Sequence, residues 1–548
     1  MRLASLSESR RRRRHVGVGA SRRPPFLLVA IASLTVALLS VPPIYLIVRA
    51  SNSGAWSIMN RPATWHTVGR TLLLVVCVGA CSLIIGATMA WLVARTDLPG
   101  ARVWGVLSVA PLAMPSFVAA LALAGATGPQ GLLSKLTDAA GLGTIRPLHG
   151  LLGATIALTM ATFPYVYLLS MASLRTLDPA LEDAARSLGR GRAATFMAVT
   201  LPHLRRALTG GALLAGLYAI SDFGAVSLMR YDTVTRAIFG RIESGVDRRP
   251  AAALGLILIV LTAVFLFAEI VARGRSHLRS GPGLRRAPTP VPLGRWKIPA
   301  LAFAGLVGFS FVIGPVTVMA YWVQRAAANG TLGEVEWGAT VTSVLLALVS
   351  AVVVTIVAVP VAVLARRYPR TWTRAMERTG YGANALPGVV VGLSLVFLAA
   401  RYLPAVYLTF PLLIAAYLIR FFAQALSGVD TALAAVNPRT EEAARSLGRN
   451  PLQVLREVTL PLMRPGLFAA AMLVFLSVIK ELPVTTLLIP TGSRTLATEV
   501  WRKTTIGAYG AAAVPALVLI LVAIPFILVA VREHTLDAPA ESTATTLT

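Results

Sequence analysis

One apolar stretch follows another along this chain, each long enough to cross about 30 Å of hydrocarbon and each separated from the next by a polar loop. Twelve such stretches can be counted. They start near Phe26, Thr71, Val103, Leu151, Leu208 and Ala251, then near Ile298, Val341, Ala383, Leu408, Leu467 and Ala511. No water-soluble core takes up that much continuous apolar chain, and the composition agrees: 56% hydrophobic residues, 14% charged and a mean hydropathy of +0.72. The expected fold is an all-α integral membrane protein of about 12 transmembrane helices, because a helix satisfies its own backbone in lipid.

The net charge of +28 does not point to nucleic acid, because the basic residues are spread over many short loops. If the N-terminus is cytoplasmic, about 35 of the 51 Lys and Arg fall on the cytoplasmic side, which is the excess that fixes orientation in short-looped membrane proteins. Both termini are then inside. The basic run from Arg10 to Arg14 with Arg22 and Arg23 resembles a twin-arginine export signal only superficially. No small-residue cleavage site follows and the apolar segment is long enough to span, so it reads as a retained first helix. Cys77 and Cys81 sit one turn apart in an apolar helix with no further Cys or His close in sequence, and the six histidines are scattered singly. No metal site is expected.

The chain is also duplicated. Glu182 to Arg190 reads EDAARSLGR and Glu441 to Arg449 reads EEAARSLGR, 259 residues apart, and each is followed by Thr-Leu-Pro at Thr200 to Pro202 and Thr459 to Pro461. Trp65 pairs with Trp337, and Met114-Pro115 with Leu386-Pro387, at an offset of 272, which places an insertion of 13 residues between Gly125 and Gly150. An even number of spans per copy makes the two halves parallel six-helix repeats. The expected order is a basic tail (1–24), a first half (25–272) with its loop at 176–207, a linker (273–297), a second half (298–532) with its loop at 435–466, and a polar tail (533–548).

Each repeated loop carries its own folding instructions. Asp178-Pro179 and Asn437-Pro438 set a capping side chain before a proline at the first helical position, and the acidic pairs Glu182/Asp183 and Glu441/Glu442 follow where they favour the helix dipole. Gly189 and Gly448 fall where a left-handed cap would end a short helix. Asn450-Pro451 repeats the start signal, so a second short helix is expected to run to a stop at Leu460-Pro461. The first helix should present small residues, Ala184, Ala185, Ala443 and Ala444, to a partner.

Glu442-Ala443-Ala444, three residues, Gly448 and then Leu460-Pro461 resemble the EAA loop of the membrane subunits of ATP-driven importers, the ABC transporter permeases. The copy in the first half has Asp183 where that family usually has Glu. The resemblance implies a type I importer permease in which Glu182, Asp183, Ala184, Ala185 and Gly189, and Glu441, Glu442, Ala443, Ala444 and Gly448, couple the chain to two copies of a separate ABC ATPase. The sequence has no Gly-rich phosphate loop ending in Gly-Lys-Ser/Thr, and Leu426-Ser427-Gly428 does not complete an ATPase signature. The chain is therefore expected to be no enzyme and to bind no cofactor, the ATP being used by its partner. The resemblance further implies a multi-pass protein of the bacterial plasma membrane, served by an external substrate-binding protein.

Ser221 to Ser227 with Asp232-Thr233, and Lys480 to Pro483 with Thr495 to Thr498, resemble the fused permeases of ferric iron importers. Thiamine, phosphonate and polyamine importers use similar machinery. Asp222 and Glu481 correspond at the 259 offset, and each is expected about fourteen residues into its helix, some 21 Å from the cytoplasmic end at 1.5 Å per residue and so near the external third of the membrane. With Lys480 they are candidates for the substrate path, where paired carboxylates would suit a hard cation; the alternative is that each caps a broken helix or bonds across the helix interface. A secondary transporter of the major facilitator type also has twelve spans, but Arg95 to Arg102 lacks the Gly-Asp-Arg-Gly-like motif it would carry. A membrane scaffold that does not transport would have no use for two coupling loops.

Overall fold

A computed structural model describes residues 24–52, 55–244, 249–273, 290–332 and 336–536. The basic tail, most of the linker and most of the polar C-terminal tail lie outside them. Every regular element described is helical, apart from an isolated bridge between Thr96 and Val291. Among the described residues nine helices are long and apolar enough to cross a membrane, or ten if one bent pair counts as a span.

The apolar runs starting near Val103 and Ala383 are not straight spans. The first divides into Ala101–Val109, a 3-10 turn and Ser116–Thr127, and the second into Thr371–Gly382, a 3-10 turn and Gly388–Tyr402, with a bend of 103°. The breaks fall at Met114-Pro115 and Leu386-Pro387. In each, the proline stands in extended backbone as the N-cap of the following helix, near φ −62°. A proline cannot supply the N–H that would carry the first helix through, while its fixed φ suits the start of a new one. The inserted residues of the first half form an extra helix, Leu132–Ala139, where the second half has only the turn Pro404–Val406.

The compact units do not coincide with the sequence halves. One unit holds 1–55 and 341–494, the other 56–340 and 495–548. In the first unit the N-terminal helix Phe26–Asn52 packs on the Thr371–Gly382 and Gly388–Tyr402 pair. Arg49 lies 3.9 Å over the Phe397 ring, and Ser394 donates to the Pro42 carbonyl at 3.4 Å. In the second unit, Ala300, Ala304 and Val307 from the start of the second half are buried against Met89, Phe163 and Leu204 of the first. Tyr509–Leu536 packs beside them on Gly314–Ala328.

Small residues bring helices close inside each unit, the usual way membrane helices gain van der Waals contact. A Cβ on Gly86 or Gly211 would lie 2.7 Å from Val166 atoms, and one on Gly428 or Gly466 would lie 2.6 or 2.5 Å from the Ala470 or Ala432 methyl.

Candidate functional site: two repeated loops and two helix breaks

The repeated loops fold from their local signals. Pro179–Ser187 and Pro438–Ser446 are nine-residue helices, with Asp178 accepting from the Ala180 N–H and Asn437 from the Arg439 N–H, both at 3.0 Å. Gly189 and Gly448 end them at φ +82° and +84°. Arg190 and Arg449 then donate their N–H groups back to the Ala185 and Ala444 carbonyls, closing a left-handed cap.

The second short helix differs from expectation. Arg192–Thr195 and Pro451–Val454 do not stop at Thr-Leu-Pro; each runs through a π turn, Phe196–Thr200 or Leu455–Thr459, directly into the long helix Leu201–Ser221 or Leu460–Ile479. The wider turn bonds Leu201 N–H to Phe196 O and Leu460 N–H to Leu455 O. That relieves the helix just where Pro202 and Pro461 would otherwise clash with the preceding turn. The sequence that looked like a stop is a joint joining the loop rigidly to the fifth span. In the second copy Asn450 and Gln453 form the reciprocal capping box that starts it.

The acidic pairs divide their work. Glu182 is 7% exposed and Glu441 3%, whereas Asp183 and Glu442 face outward. Glu182 accepts from Thr200 Oγ1 at 2.7 Å and pairs with Arg95 Nη2 at 3.3 Å, and Glu441 accepts from Thr459 Oγ1 at 3.0 Å and pairs with Arg367 Nε at 3.0 Å. Arg95 and Arg367 are the last residues of Pro62–Arg95 and Trp337–Arg367. Each buried carboxylate thus ties the end of the second span, the loop helix and the foot of the fifth span into one joint. Removing one partner of such a buried pair costs about 3–5 kcal/mol, because the other charge is left unpaired. The Arg186 pairing with exposed Asp183, at 3.4 Å, contributes little.

Sequence reasoning missed Arg95, Thr200, Arg367 and Thr459. A signal was there, since Arg95 and Arg367 share the 272 offset and both threonines belong to the repeated Thr-Leu-Pro. The small face also divides: Ala184 and Ala443 are exposed, Ala185 is buried and Ala444 half-buried. The outer surface adds Leu188 and Leu447, 81% and 83% exposed. Each loop therefore offers an acidic residue, a small residue and a bare leucine on a rigid base.

Asp222, Lys480 and Glu481 lie just past the ends of their helices rather than within them. Asp222 Oδ1 accepts from the N–H groups of Ala225 at 2.9 Å and Val226 at 3.3 Å, Ser116 Oγ donates to Oδ2, and Thr235 Oγ1 donates to its carbonyl at 2.7 Å. Glu481 Oε1 accepts from the Val484 N–H at 3.2 Å, and Thr485 Oγ1 donates to the Glu481 carbonyl at 2.6 Å. Each carboxylate caps a short helix, Gly224–Leu228 or Pro483–Leu488. Ser116 and Gly388 correspond at the 272 offset and begin the helices after the two proline breaks. A Cβ on Gly388 would lie 2.6 Å from Glu481 Oε1. The first half therefore pairs a short acid with serine, and the second a long acid with glycine, in one space.

Beyond these breaks, Trp501 of the second half packs on the Phe223 ring at 5.0 Å, tilted by 46°, and meets Phe239 edge-on at 6.4 Å. Two residues before Trp501, Glu499 binds Arg502 at 2.7 Å and Lys503 at 3.5 Å. Among the described residues no group of three or more His, Cys, Asp or Glu could hold a metal ion, and both cysteines are free thiols.

A duplicated all-helical membrane unit with a proline break in each third span and a capped loop at the foot of each fifth span defines a permease class. The chain belongs to the family described as binding-protein-dependent transport system inner membrane component, which matches twice, over residues 82–275 and 358–535. It is 32% identical over 509 residues to the Fe(3+)-transport system permease protein FbpB 2 of Haemophilus influenzae, covering 91% of this chain and 97% of that one. Over 484 residues it is 23% identical to the ferric transport system permease protein FbpB of Actinobacillus pleuropneumoniae, covering 84% and 70%. The sulfate transport system permease protein CysT of Escherichia coli is 27% identical over 223 residues, 39% of this chain and 78% of CysT. The chain is a multi-pass membrane protein and the permease subunit of an ABC importer.

Proposed function

We propose that this chain imports ferric iron, handed to it by an external binding protein, with one copy of a separate ATPase docked at each of its two coupling loops. The likeness to a ferric permease over 91% of the chain supports the cargo. Two loops of the same build, each with its outward acid, small residue and leucine, support two docking sites on one chain. The distribution of basic residues supports a cytoplasmic side for both loops and both termini. ATP-driven closure of the ATPase pair would press on the two loop helices, and the buried joints at Glu182 and Glu441 would carry the movement into the second and fifth spans. Hydrolysis belongs to the partner.

The test is reconstitution into vesicles with the ATPase and binding protein encoded beside this gene. Accumulation of radioactive ferric iron that requires ATP and is indifferent to a proton ionophore is expected. Uptake driven by a proton gradient without the ATPase would return the chain to the secondary transporters, and ATP turnover with uptake of thiamine, phosphonate or polyamine alone would replace the cargo.

A further inference from the structure

The helix Phe410–Ala435 carries a polar line that its fold does not require. Most of its circumference is buried and apolar, through residues such as Leu413, Tyr417 and Phe422. The face left open is Arg420, Gln424, Ser427 and Thr431, at the i, i+4, i+7 and i+11 positions of a single helical stripe; the first two are half-buried and the last two exposed. Arg420 stands ten residues from the start of this 26-residue helix, about 15 Å along it and so near the middle of the hydrocarbon. Its Nε is buried without a hydrogen-bond partner among the described residues. Its guanidinium lies 5.7 Å from the Phe421 ring. Charged side chains at this depth are rare and almost always meet a polar cavity or a substrate route rather than lipid.

The stripe extends onto the neighbouring helix Leu460–Ile479. Ser477 Oγ donates to Gln424 Oε1 at 2.8 Å, and Gln424 Nε2 donates to the Leu473 carbonyl at 3.3 Å, so the amide is held in place. The other half shows that the repeat folds without any of this. At the 259 offset Arg420, Gln424 and Ser477 correspond to Ala161, Tyr165 and Tyr218, and there the two tyrosine rings lie 6.3 Å apart. A cation costly to bury, found in one copy of a repeat and replaced by alanine in the other, serves something other than packing.

We propose that Arg420, with Gln424 and Ser477 beside it, is an oxyanion subsite on the route of the cargo, and that ferric iron crosses with a coordinated oxyanion rather than as a bare trivalent cation. A guanidinium is a cation that presents N–H donors only, so it repels Fe3+ and attracts phosphate, sulfate or carboxylate oxygens. This inference rests on the ferric reading of the cargo.

The experiment uses vesicles containing the complete importer, supplied with binding protein loaded with 55Fe in 32P-phosphate. The wild type should accumulate both labels together. Arg420→Met should lower uptake at least tenfold while co-purification with the ATPase and ATP turnover stimulated by the binding protein stay unchanged, and Arg420→Lys should recover part of it. Methionine removes a membrane charge, so this variant is not expected to misfold; Gln424→Leu with Ser477→Ala should give a smaller loss of the same kind. Iron entering without phosphate, or Arg420→Met transporting at the wild-type rate, overturns the proposal. If the wild type turns over ATP but moves no iron, the ferric reading fails by itself. Uptake of 32P-phosphate or 35S-sulfate that is lost in Arg420→Met would then sustain the oxyanion subsite, and absence of such uptake would sink it too.

Discussion

The exchange of Ser116/Asp222 for Gly388/Glu481 gives a sharp test of how the helix breaks are held. In Gly388→Ser the new Cβ would sit 2.6 Å from Glu481 Oε1, 3.2 Å from Pro483 Cγ and 3.4 Å from Val484 Cγ2. The first distance is far inside van der Waals contact, and the proline and helical backbone around it have little room to move. The Glu481 carboxylate must swing away, giving up its bond from the Val484 N–H. Overpacking costs about 1–3 kcal/mol and loss of a hydrogen bond to a charged group about 1.5–3, so about 3 kcal/mol is expected for the single variant. Adding Glu481→Asp withdraws the carboxylate by one methylene and recreates the first half's pairing, in which the serine hydroxyl donates to the acid. The double variant should regain about 2 kcal/mol over the sum of the singles, a coupling well above the few tenths found for independent sites. The assay is a double-mutant cycle by SDS-driven unfolding in bicelles, followed by tryptophan fluorescence. Additive singles, or a Gly388→Ser variant as stable as the wild type, would refute the reasoning.

Three further outcomes follow from the loops and the aromatic cluster. Gly189→Asp with Gly448→Asp should lose co-purification with the ATPase: nothing lies within 4 Å of either glycine, so the variant strains only the left-handed caps, by about 1–2 kcal/mol each, and leaves the spans intact. Glu441→Ala should destabilise the protein by about 3–5 kcal/mol by taking the carboxylate from half-buried Arg367, which among the described residues keeps only its contact to the Val436 carbonyl at 3.5 Å, while Glu442→Ala should leave stability within about 0.5 kcal/mol and weaken only ATPase association; equal stabilities for the two would place both acids at the surface. Burial pushes the Glu499 carboxyl up, but the hydrogen bond and charge of Arg502, with the Lys503 ammonium, outweigh it and hold the group below its ordinary 4.5. A depressed acid contributes stability that is present above its unfolded value and lost as pH falls through its folded one, so the loss should set in below pH 4.5 and be reduced in Glu499→Gln, as read by acid unfolding of the purified protein.

What could be read from residues in order was read correctly where the physics is local. The Asp178 and Asn437 caps, the Gly189 and Gly448 turns and the helix start at Asn450 depend on residues two to five positions apart. Reading by hydropathy failed at Met114-Pro115 and Leu386-Pro387, because apolar residues continue across both breaks while the prolines change the direction of the backbone. Thr-Leu-Pro looked like a stop because a proline disrupts an α turn, and it proved to be a joint because a π turn accommodates one.

By itself, then, the sequence determined a membrane-spanning all-helical chain, its duplication and the shape of its two loops, since hydropathy, repetition and capping act over short stretches. Only the tertiary structure decided that Glu182 and Glu441 turn inward to arginines 87 and 74 residues away. It also decided that each compact unit draws helices from both halves, and that Asp222 and Glu481 share their space with Ser116 and Gly388. Those outcomes depend on which buried charge finds a partner and which side chain fills a gap, and such choices arise only when distant segments pack together.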